Sequence, residues 1–268
     1  MPVSLTVLGS GDAFNSEGRG NACYLLRDEL GAVCVDFGPT ALMHLKALAA
    51  LEPGLDPDAI DAVFVTHLHG DHFGGLHLLL VDAEFSARRH KPLVICGPRG
   101  IEEHLARWYE LAFGKVPACR DFDLRFVELD PGEARVVLGR RVTALPAAHT
   151  CPGQALCYRF DLPEAAVAFS GDTAWTDALI DLAKDTELFV CDCTEAPGTN
   201  PQHLTWEALE PKLDTLQTTH LLLSHLGPSM RRAADRIQCA AGRAGAPRVS
   251  IADDGLCLRC GAAAQPIP

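Results

Sequence analysis

The segment THLHGDH, residues 66–72, concentrates side chains that bind metals. It contributes His67, His69, Asp71 and His72, and imidazole and carboxylate groups are natural ligands of zinc and related first-row metals. A single histidine in such a place is more often a core residue, but three this close together are hard to explain by packing. The segment therefore predicts a metal site.

Four separate apolar runs each lead directly to a further potential ligand or to this segment. AVFVT precedes His67, VTALPAA precedes His149, AVAFSG precedes Asp172 and HLLLS precedes His225. Folds built on sheets gather their sites beyond the carboxyl ends of strands, where loops converge. We therefore predict that these four side chains meet at one edge of the molecule.

The elements that position these residues follow from the apolar patterns. Alternating or continuous apolar runs predict strands at 3–8, 22–26, 32–38, 62–66, 93–97, 154–160, 165–170, 187–192 and 219–224, with several more between 122 and 146. Apolar residues at helical spacing predict helices at 40–52, about 99–113, 174–184, 204–215 and 229–243. No linker or repeat divides the chain, so we expect one domain over residues 1–260 and a disordered tail at 261–268.

With the HxHxDH motif, a later histidine, an aspartate in SGDT and a final histidine, the chain resembles the metallo-β-lactamase superfamily over about residues 3–255. The resemblance implies an α/β (α+β) fold, an αββα sandwich of two sheets between helices. It also implies two divalent metal ions, one held by His67, His69 and His149, the other by Asp71, His72 and His225, with Asp172 bridging them. Asp36 in VDFG would support these ligands by hydrogen bonding, because metal-bound histidines usually donate their second ring nitrogen to such a partner.

Two bound metals can share a hydroxide, because the pKa of a metal-bound water falls to near 7. Such a centre is suited to hydrolysis, and we count Asp71 among the catalytic residues as well as the ligands. Oxygen reductases of the flavodiiron type carry a glutamate where this chain has His69, which favours hydrolysis over redox chemistry. We expect zinc, and leave manganese, iron and nickel open because selection depends on supply and geometry.

Two segments beyond Asp172 resemble the HEAT and HST segments of ribonuclease Z and its phosphodiesterase relatives. They are Thr194-Glu195-Ala196 and His203-Leu204-Thr205. By that resemblance Glu195 and His203 would protonate the leaving group, and such a pair is chemically suited to general acid catalysis. The alternatives are a surface acid and a residue at the start of a helix.

The resemblance leaves three kinds of hydrolase open. A phosphodiesterase acting on a small or cyclic phosphodiester is favoured, because CDCTEAP…QHLTW resembles the DCSHPP…NHCDL stretch of the cyclic phosphodiesterase of phosphonate breakdown. Ribonuclease Z carries a tRNA-clamping arm between its third-motif histidine and its bridging aspartate, but only 23 positions separate His149 from Asp172. Ala174 also replaces the arginine that commonly follows SGDT in that family. A thioesterase or lactonase of the glyoxalase II type fits the ligand spacing, and a non-catalytic metal-binding scaffold is the remaining alternative.

The 268 residues carry a formal net charge of −12 at pH 7. An acidic protein repels the phosphate backbone of nucleic acids unless Lys and Arg are concentrated locally, and the basic clusters at 88–91, 140–141 and 231–232 are short. We therefore expect a small-molecule substrate and no extended contact with nucleic acid. A homodimer stays open, since dimers are common in the resembling family but no segment specifies an interface.

Location and redox state are constrained by composition. No apolar run approaches the roughly 20 residues that span a bilayer, and the first residues lack the basic start and apolar block of a signal peptide. We therefore predict a cytoplasmic protein without membrane contact.

Most of the eleven cysteines lie in apolar runs and are interpreted as reduced core residues. The close pairs Cys191/Cys193 and Cys257/Cys260 lack the four ligands of a structural zinc site, which favours packing for them too.

Overall fold

The computed structural model describes residues 2–51, 55–115, 119, 121–240 and 246–261. Two seven-stranded sheets face each other, and α-helices cover the outer face of each sheet. This is the four-layer αββα sandwich, so the predicted fold class is confirmed.

The first sheet contains both antiparallel and parallel pairs. Its strands are β1 (Ser4–Gly9), β2 (Cys23–Asp28), β3 (Gly31–Val35), β4 (Ile60–Phe64), β5 (Leu93–Pro98), β6 (Leu124–Leu129) and β14 (Cys257–Arg259). They lie in the order β14-β1-β2-β3-β4-β5-β6. Strands β3 to β6 are parallel, so their carboxyl ends share one edge.

The second sheet repeats this plan. Its strands are β7 (Ala134–Val137), β8 (Arg140–Pro146), β9 (Leu156–Asp161), β10 (Ala166–Phe169), β11 (Thr186–Asp192), β12 (Thr218–Ser224) and β13 (Arg248–Ile251). Strands β10 to β13 are parallel, and β8 runs in the same direction because β9 is antiparallel to both β8 and β10.

The helices bury one face against the sheets. The first sheet is covered by α1 (Ala41–Ala49), α2 (Gly70–Phe73), α3 (Leu76–Val81) and α4 (Ile101–Phe113), the second by α5 (Ala178–Ala183), α6 (Trp206–Leu209), α7 (Pro228–Arg232) and α8 (Ala234–Ala240). In α4 the buried residues Ile101, Leu105 and Tyr109 recur every four positions, which places them on one stripe. The helix ends at Gly114, whose left-handed backbone (φ 68°) suits glycine.

The predicted strands are confirmed, with bounds shifted by a few residues. The structure adds β13 and β14, which are only four and three residues long. Strand β14 pairs with β1 from the other end of the chain, Ser4 opposite Arg259, so its conformation depends on a distant partner and leaves little local pattern.

The helical predictions were too long. The segment 174–184 is helical only over α5, and 204–215 is α6 followed by a 3₁₀ turn at Glu210–Thr215. Pro211 lies in that turn and has no backbone N–H to continue an α-helix. The segment 229–243 forms α7 and α8 as far as Ala240, and residues 241–243 and the predicted tail from 262 lie outside the described residues.

The cysteines that the structure describes are free thiols, and most of them are buried. Both Cys191 and Cys193 belong to the core between the second sheet and its helices, in agreement with the interpretation of that pair as packing residues. Within the described residues, no helix combines the length and apolar character needed to cross a membrane.

A buried ion pair joins the two sheets. Nε and Nη2 of Arg140 on β8 donate to the two carboxylate oxygens of Asp28 on β2 at 2.8 and 2.7 Å. Both side chains are almost fully buried, 1% and 2% exposed. Since each charge depends on the other for its solvation, removal of one partner leaves an uncompensated charge in the interior.

We expect Arg140→Met to lower the free energy of unfolding by about 3–5 kcal/mol, because Asp28 would stay buried and unpaired. Urea denaturation followed by circular dichroism measures this. The matched control is Arg141→Met, on the same strand but 63% exposed, with its contact to Asp161 stretched to 3.9 Å; an exposed pair contributes at most about 1 kcal/mol. Equal losses in the two variants would contradict a special role for the buried pair.

Candidate metal centre

The predicted ligands meet where the carboxyl ends of both sets of parallel strands face each other. His67 follows β4, His149 follows β8, Asp172 follows β10 and His225 follows β12. The remaining motif residues lie at the start of α2, directly after β4. Both sheets therefore contribute to one site, as the strand-end argument predicts.

Three histidines form the first ligand group. Nδ1 of His69 lies 3.2 Å from Nε2 of His67 and 3.1 Å from Nε2 of His149. The three rings are held by different elements, yet their nitrogens converge on one point. Such convergence of imidazoles is typical of a metal site.

The second ligand group contains two histidines and two aspartates. Nε2 of His72 lies 3.4 Å from Oδ2 of Asp71 and 3.1 Å from Oδ1 of Asp172. Nε2 of His225 lies 3.3 Å from Oδ2 of Asp71 and 3.5 Å from Oδ2 of Asp172. One ligand atom from each of the four residues lies within 4.8 Å of the others.

Asp172 stands between the two groups. Besides its contacts in the second group, its Oδ2 lies 3.7 Å from Nε2 of His67 and 3.9 Å from Nε2 of His149. A carboxylate has two oxygens and can face two centres at once. The structure thus brings all seven predicted ligand residues together and places Asp172 where a bridging ligand would lie.

The donor set fits divalent metal ions. Nε2 of His72 and Oδ1 of Asp172 are buried polar atoms without a hydrogen-bond partner, and they face each other. Buried polar atoms are normally hydrogen-bonded, so such a pair needs an explanation, and a shared cation provides one. Imidazole with carboxylate suits zinc and neighbouring first-row metals.

The shifted pKa values of His67 and Asp172 also favour metal binding. Burial lowers the pKa of His67 well below its ordinary value, and the charge of His72 adds to this effect. Burial would raise the pKa of Asp172, but His225 and His72 hold it well below its usual range. Metal binding requires neutral imidazoles and ionised carboxylates, which these two shifts favour. Burial opposes protonation of His72 and His225, but the neighbouring carboxylates, Asp172 first among them, raise the pKa of both rings, so a metal ion would displace their protons.

Asp36 lies behind the ligands and contacts His72. Its Oδ2 lies 2.8 Å from Nδ1 of His72, and its Oδ1 accepts a hydrogen bond from the backbone N–H of Thr66 at 2.7 Å. The contact with Nδ1 fixes the ring so that Nε2 points into the site. The backbone of Asp36 is left-handed (φ 57°), a conformation that a non-glycine residue keeps only where its surroundings enforce it.

Two glycines allow the motif to pack against the loop after β3. A Cβ on Gly38 would lie 2.2 Å from the carbonyl oxygen of Asp71, and one on Gly75 would lie 2.2 Å from that of Gly38. The backbone N–H of Phe37 donates to the carbonyl of His72 across the same contact. Any side chain at either glycine would therefore push the ligand segment away from Asp36.

The sequence interpretation missed Asp192, the last residue of β11. Its carboxylate contacts Nδ1 of His203 at 3.0 Å and accepts hydrogen bonds from the backbone N–H of Thr173 at 3.0 Å and from Oγ1 of Thr194 at 2.9 Å. Thr194 in turn lies 3.2 Å from Nδ1 of His225. Asp192 also ends an apolar run, LFVCD, so the strand-end rule that found the other ligands would have found it.

His203 and Glu195 lie differently from the expected pair. His203 pairs with Asp192, and although burial acts against it, this hydrogen bond and the charges of Asp192 and Asp172 raise the pKa of His203. The Glu195 carboxylate lies over Gly198, where an added Cβ would meet its Oε2 at 2.1 Å. The hydrogen bonds found among the described residues include none between Glu195 and His203, and the catalytic role of Glu195 stays a prediction.

The centre opens into a cleft of about 490 Å³, which we call the metal cleft. Its walls include the ligands His69, Asp71, His149, Asp172 and His225, together with Ala13, Thr150, Gln202 and His203. His203 is thus exposed to the same space as both ligand groups, and its Nδ1, which contacts Asp192, also lies 3.8 Å from Oδ2 of Asp172.

A family model described as "Beta-lactamase superfamily domain" matches residues 32–226, which include all seven ligand residues. Together with the fold, this match shows that the chain belongs to the metallo-β-lactamase superfamily. It is a hydrolase of that superfamily with a metal-binding cluster of histidines and aspartates.

Relatives cover nearly the whole chain. The ribonuclease Z of Methanothermobacter thermautotrophicus is 25% identical over 303 positions, which cover 94% of this chain and 95% of the relative. The metallo-β-lactamase fold protein YhfI from Bacillus subtilis has a similar structure, with a TM-score of 0.76 and 19% identity over 96% of this chain and 99% of that one. A diphosphatase of the PhnP family follows with a TM-score of 0.72 and 18% identity over 98% and 100%.

We expect Asp36→Asn to lower metal affinity about 10- to 100-fold, the usual effect of losing such a supporting carboxylate. Asparagine tolerates a left-handed backbone, so the loop should keep its course. Competition with a chromophoric chelator measures the affinity, and Asp130→Asn, at an exposed position remote from the ligands, is the control. Unchanged affinity in Asp36→Asn would mean that His72 is held without this contact.

Proposed function

We propose that the protein is a two-metal phosphodiesterase that acts on a small or cyclic phosphodiester. The observation that carries this proposal is the arrangement of two ligand groups around Asp172 with the His203–Asp192 pair on the wall of the same cleft. The ligands would activate the nucleophile, and the pair would serve the leaving group. Water adds to phosphorus and the bond to one ester oxygen breaks. A linear diester gives a phosphomonoester and an alcohol, and a cyclic diester gives one product that carries both groups.

The ligand residues would hold two divalent ions, for which zinc is our first expectation. His67, His69 and His149 would hold one, and Asp71, His72 and His225 the other, with Asp172 shared. When bound, such ions supply a hydroxide nucleophile at neutral pH and stabilise negative charge on the reacting phosphate. Asp71 lines the metal cleft and can orient the attacking water through its carboxylate.

His203 is the group that makes a phosphodiester more suitable than a thioester. An alkoxide leaving from phosphorus is strongly basic and needs a proton, whereas a thiolate does not. Nδ1 of His203 contacts Asp192, which favours a protonated ring whose Nε2–H can donate that proton. Asp192 would hold the ring in place and stabilise its positive charge.

The alignment with the archaeal ribonuclease Z supports a substrate smaller than tRNA. The alignment with the archaeal ribonuclease Z runs over 303 positions, more than the 268 residues of this chain, so the relative has segments without a counterpart here. The chain is acidic, with a net charge of −12. None of the described residues that line the metal cleft is Lys or Arg, although phosphate contacts of nucleic-acid enzymes are mostly made by these side chains.

A substrate panel combined with metal analysis tests the proposal. We expect about two divalent ions per chain and faster cleavage of bis(4-nitrophenyl) phosphate than of a thioester or a lactone. A preference for the thioester or lactone would favour the glyoxalase II type of activity, and cleavage of pre-tRNA alone would favour ribonuclease Z. Bound metal without any of these activities would support the non-catalytic scaffold.

We expect His203→Ala to slow phosphodiesters with poor leaving groups more than activated ones, since 4-nitrophenolate leaves without protonation. General acid catalysis contributes about 10²–10⁴-fold, so the loss of kcat on a methyl leaving group should fall in that range. Rates for a leaving-group series give the measurement. An equal loss on all substrates would remove the general-acid role.

A matched pair of variants decides which carboxylate supports His203. Because Asp192 and not Glu195 contacts its ring, we expect Asp192→Asn to reproduce the leaving-group dependence of His203→Ala more closely than Glu195→Gln does. A larger effect of Glu195→Gln would show that Glu195 acts with His203 in protonating the leaving group.

A further inference from the structure

A second cleft of about 540 Å³ adjoins the metal cleft. We call it the side groove, and define it by Trp175, Asn200, Thr205 and Glu207, with His203 at its boundary. His203 lines both spaces, so a molecule that reaches His203 from the metal cleft can continue into the side groove. Each volume is in the range of small-molecule sites.

Trp175 gives the side groove an aromatic wall close to the centre. It lies three positions after Asp172, and the backbone N–H of Ala174 donates to the carbonyl of Ala148 at 3.0 Å, which fixes this segment beside the ligand loop. The indole is half-buried, its Nε1–H donates to Asp177 at 3.3 Å, and Nζ of Lys212 lies 4.6 Å from the ring centroid. The ring is therefore held on more than one side and forms a rigid surface.

The polar groups of the groove favour an uncharged ligand with hydrogen-bond acceptors. Oδ1 of Asn200 accepts from the backbone N–H of Gln202 at 2.9 Å, and its amide N–H groups donate none of the hydrogen bonds found among the described residues. The charge of Glu207 is offset by Arg236, 2.6 Å away. None of the described residues lining either cleft is Lys or Arg, and the cations beside the side groove are engaged, Lys212 with the Trp175 ring and Arg236 with Glu207.

We propose that the side groove binds the base of a nucleoside phosphodiester that carries a single negative charge. The base would stack on Trp175 and accept hydrogen bonds from Asn200, while its phosphate occupies the metal cleft beside His203. Aromatic side chains bind bases in this way with little preference for base type. The inference rests on the proposed function for the position of the phosphate, and it adds the class of substrate.

Two substrates that differ in the ester group that stays on phosphorus, a thymidine in one and a methyl group in the other, test this inference. The 4-nitrophenyl ester of thymidine 5′-monophosphate and methyl 4-nitrophenyl phosphate share leaving group, charge and chromophore. We expect the metal-loaded protein to prefer the thymidine ester, and Trp175→Ala to reduce the ratio of the two kcat/KM values about 10- to 100-fold, the effect of losing one stacked base. Because the ratio is taken within one protein sample, partial misfolding does not change it.

Two further variants separate stacking from indirect effects. Trp175→Phe keeps an aromatic face and should retain most of the preference. Lys212→Met removes the cation beside the indole but keeps the ring, and should keep the ratio close to that of the unchanged protein. An unchanged ratio in Trp175→Ala, or an equal fall in Lys212→Met, would overturn the proposal.

A binding measurement keeps this test independent of the proposed activity. Thymidine 5′-monophosphate should quench tryptophan fluorescence of the metal-loaded protein, Trp175→Phe should abolish the quenching, and Trp108→Phe, in α4 outside both clefts, should retain it. If neither phosphodiester is cleaved, the proposed function fails. Quenching through Trp175 would still support the binding of a base in the side groove. Cleavage without a preference for the thymidine ester and without quenching would overturn the proposed binding of a base in the side groove. It would leave the proposed function intact.

Discussion

The structure depends on the burial of one carboxylate among imidazoles. Asp172 is 3% exposed, and five histidine side chains, His67, His72, His149, His203 and His225, lie with a ring nitrogen 3.1–3.9 Å from its oxygens. A buried charge is tolerated only when it is paired or coordinates a metal. Every loop at this edge therefore has to deliver a side chain to the same small volume, and that requirement fixes where the strands of both sheets end.

Much of this could be predicted from the sequence because the site follows strand ends. Apolar runs mark buried strands, and the residue after each run is placed at the edge, so His149 and Asp172 were found without knowledge of their partners. Strands β13 and β14 could not be found in the same way, since they are short and depend on distant pairing. The local pattern of apolar residues predicts that a strand is buried, but it does not predict which distant strand pairs with it in the sheet.

The contact between His203 and Asp192 shows a second limit of prediction from the sequence. A resemblance between short segments grouped His203 with Glu195 in protonating the leaving group, and it did not point to the contact of the His203 ring with Asp192. Asp192 and Glu195 are three positions apart in a segment that leaves a strand and turns, so small differences in the turn decide which carboxylate reaches the ring. Spacing in sequence cannot resolve this, because side-chain direction after a strand end is set by the loop.

The division of the ligands between the sheets has a consequence for folding. His67, His69, Asp71 and His72 come from the first half of the chain, whereas His149, Asp172 and His225 come from the second. A metal ion held by both sets links segments far apart in sequence, and because the site does not exist in the unfolded chain, its binding free energy adds to the free energy of folding. The ion that performs the chemistry would then also hold the two halves of the sandwich together. Loss of the metal would therefore favour separation of the two sheets.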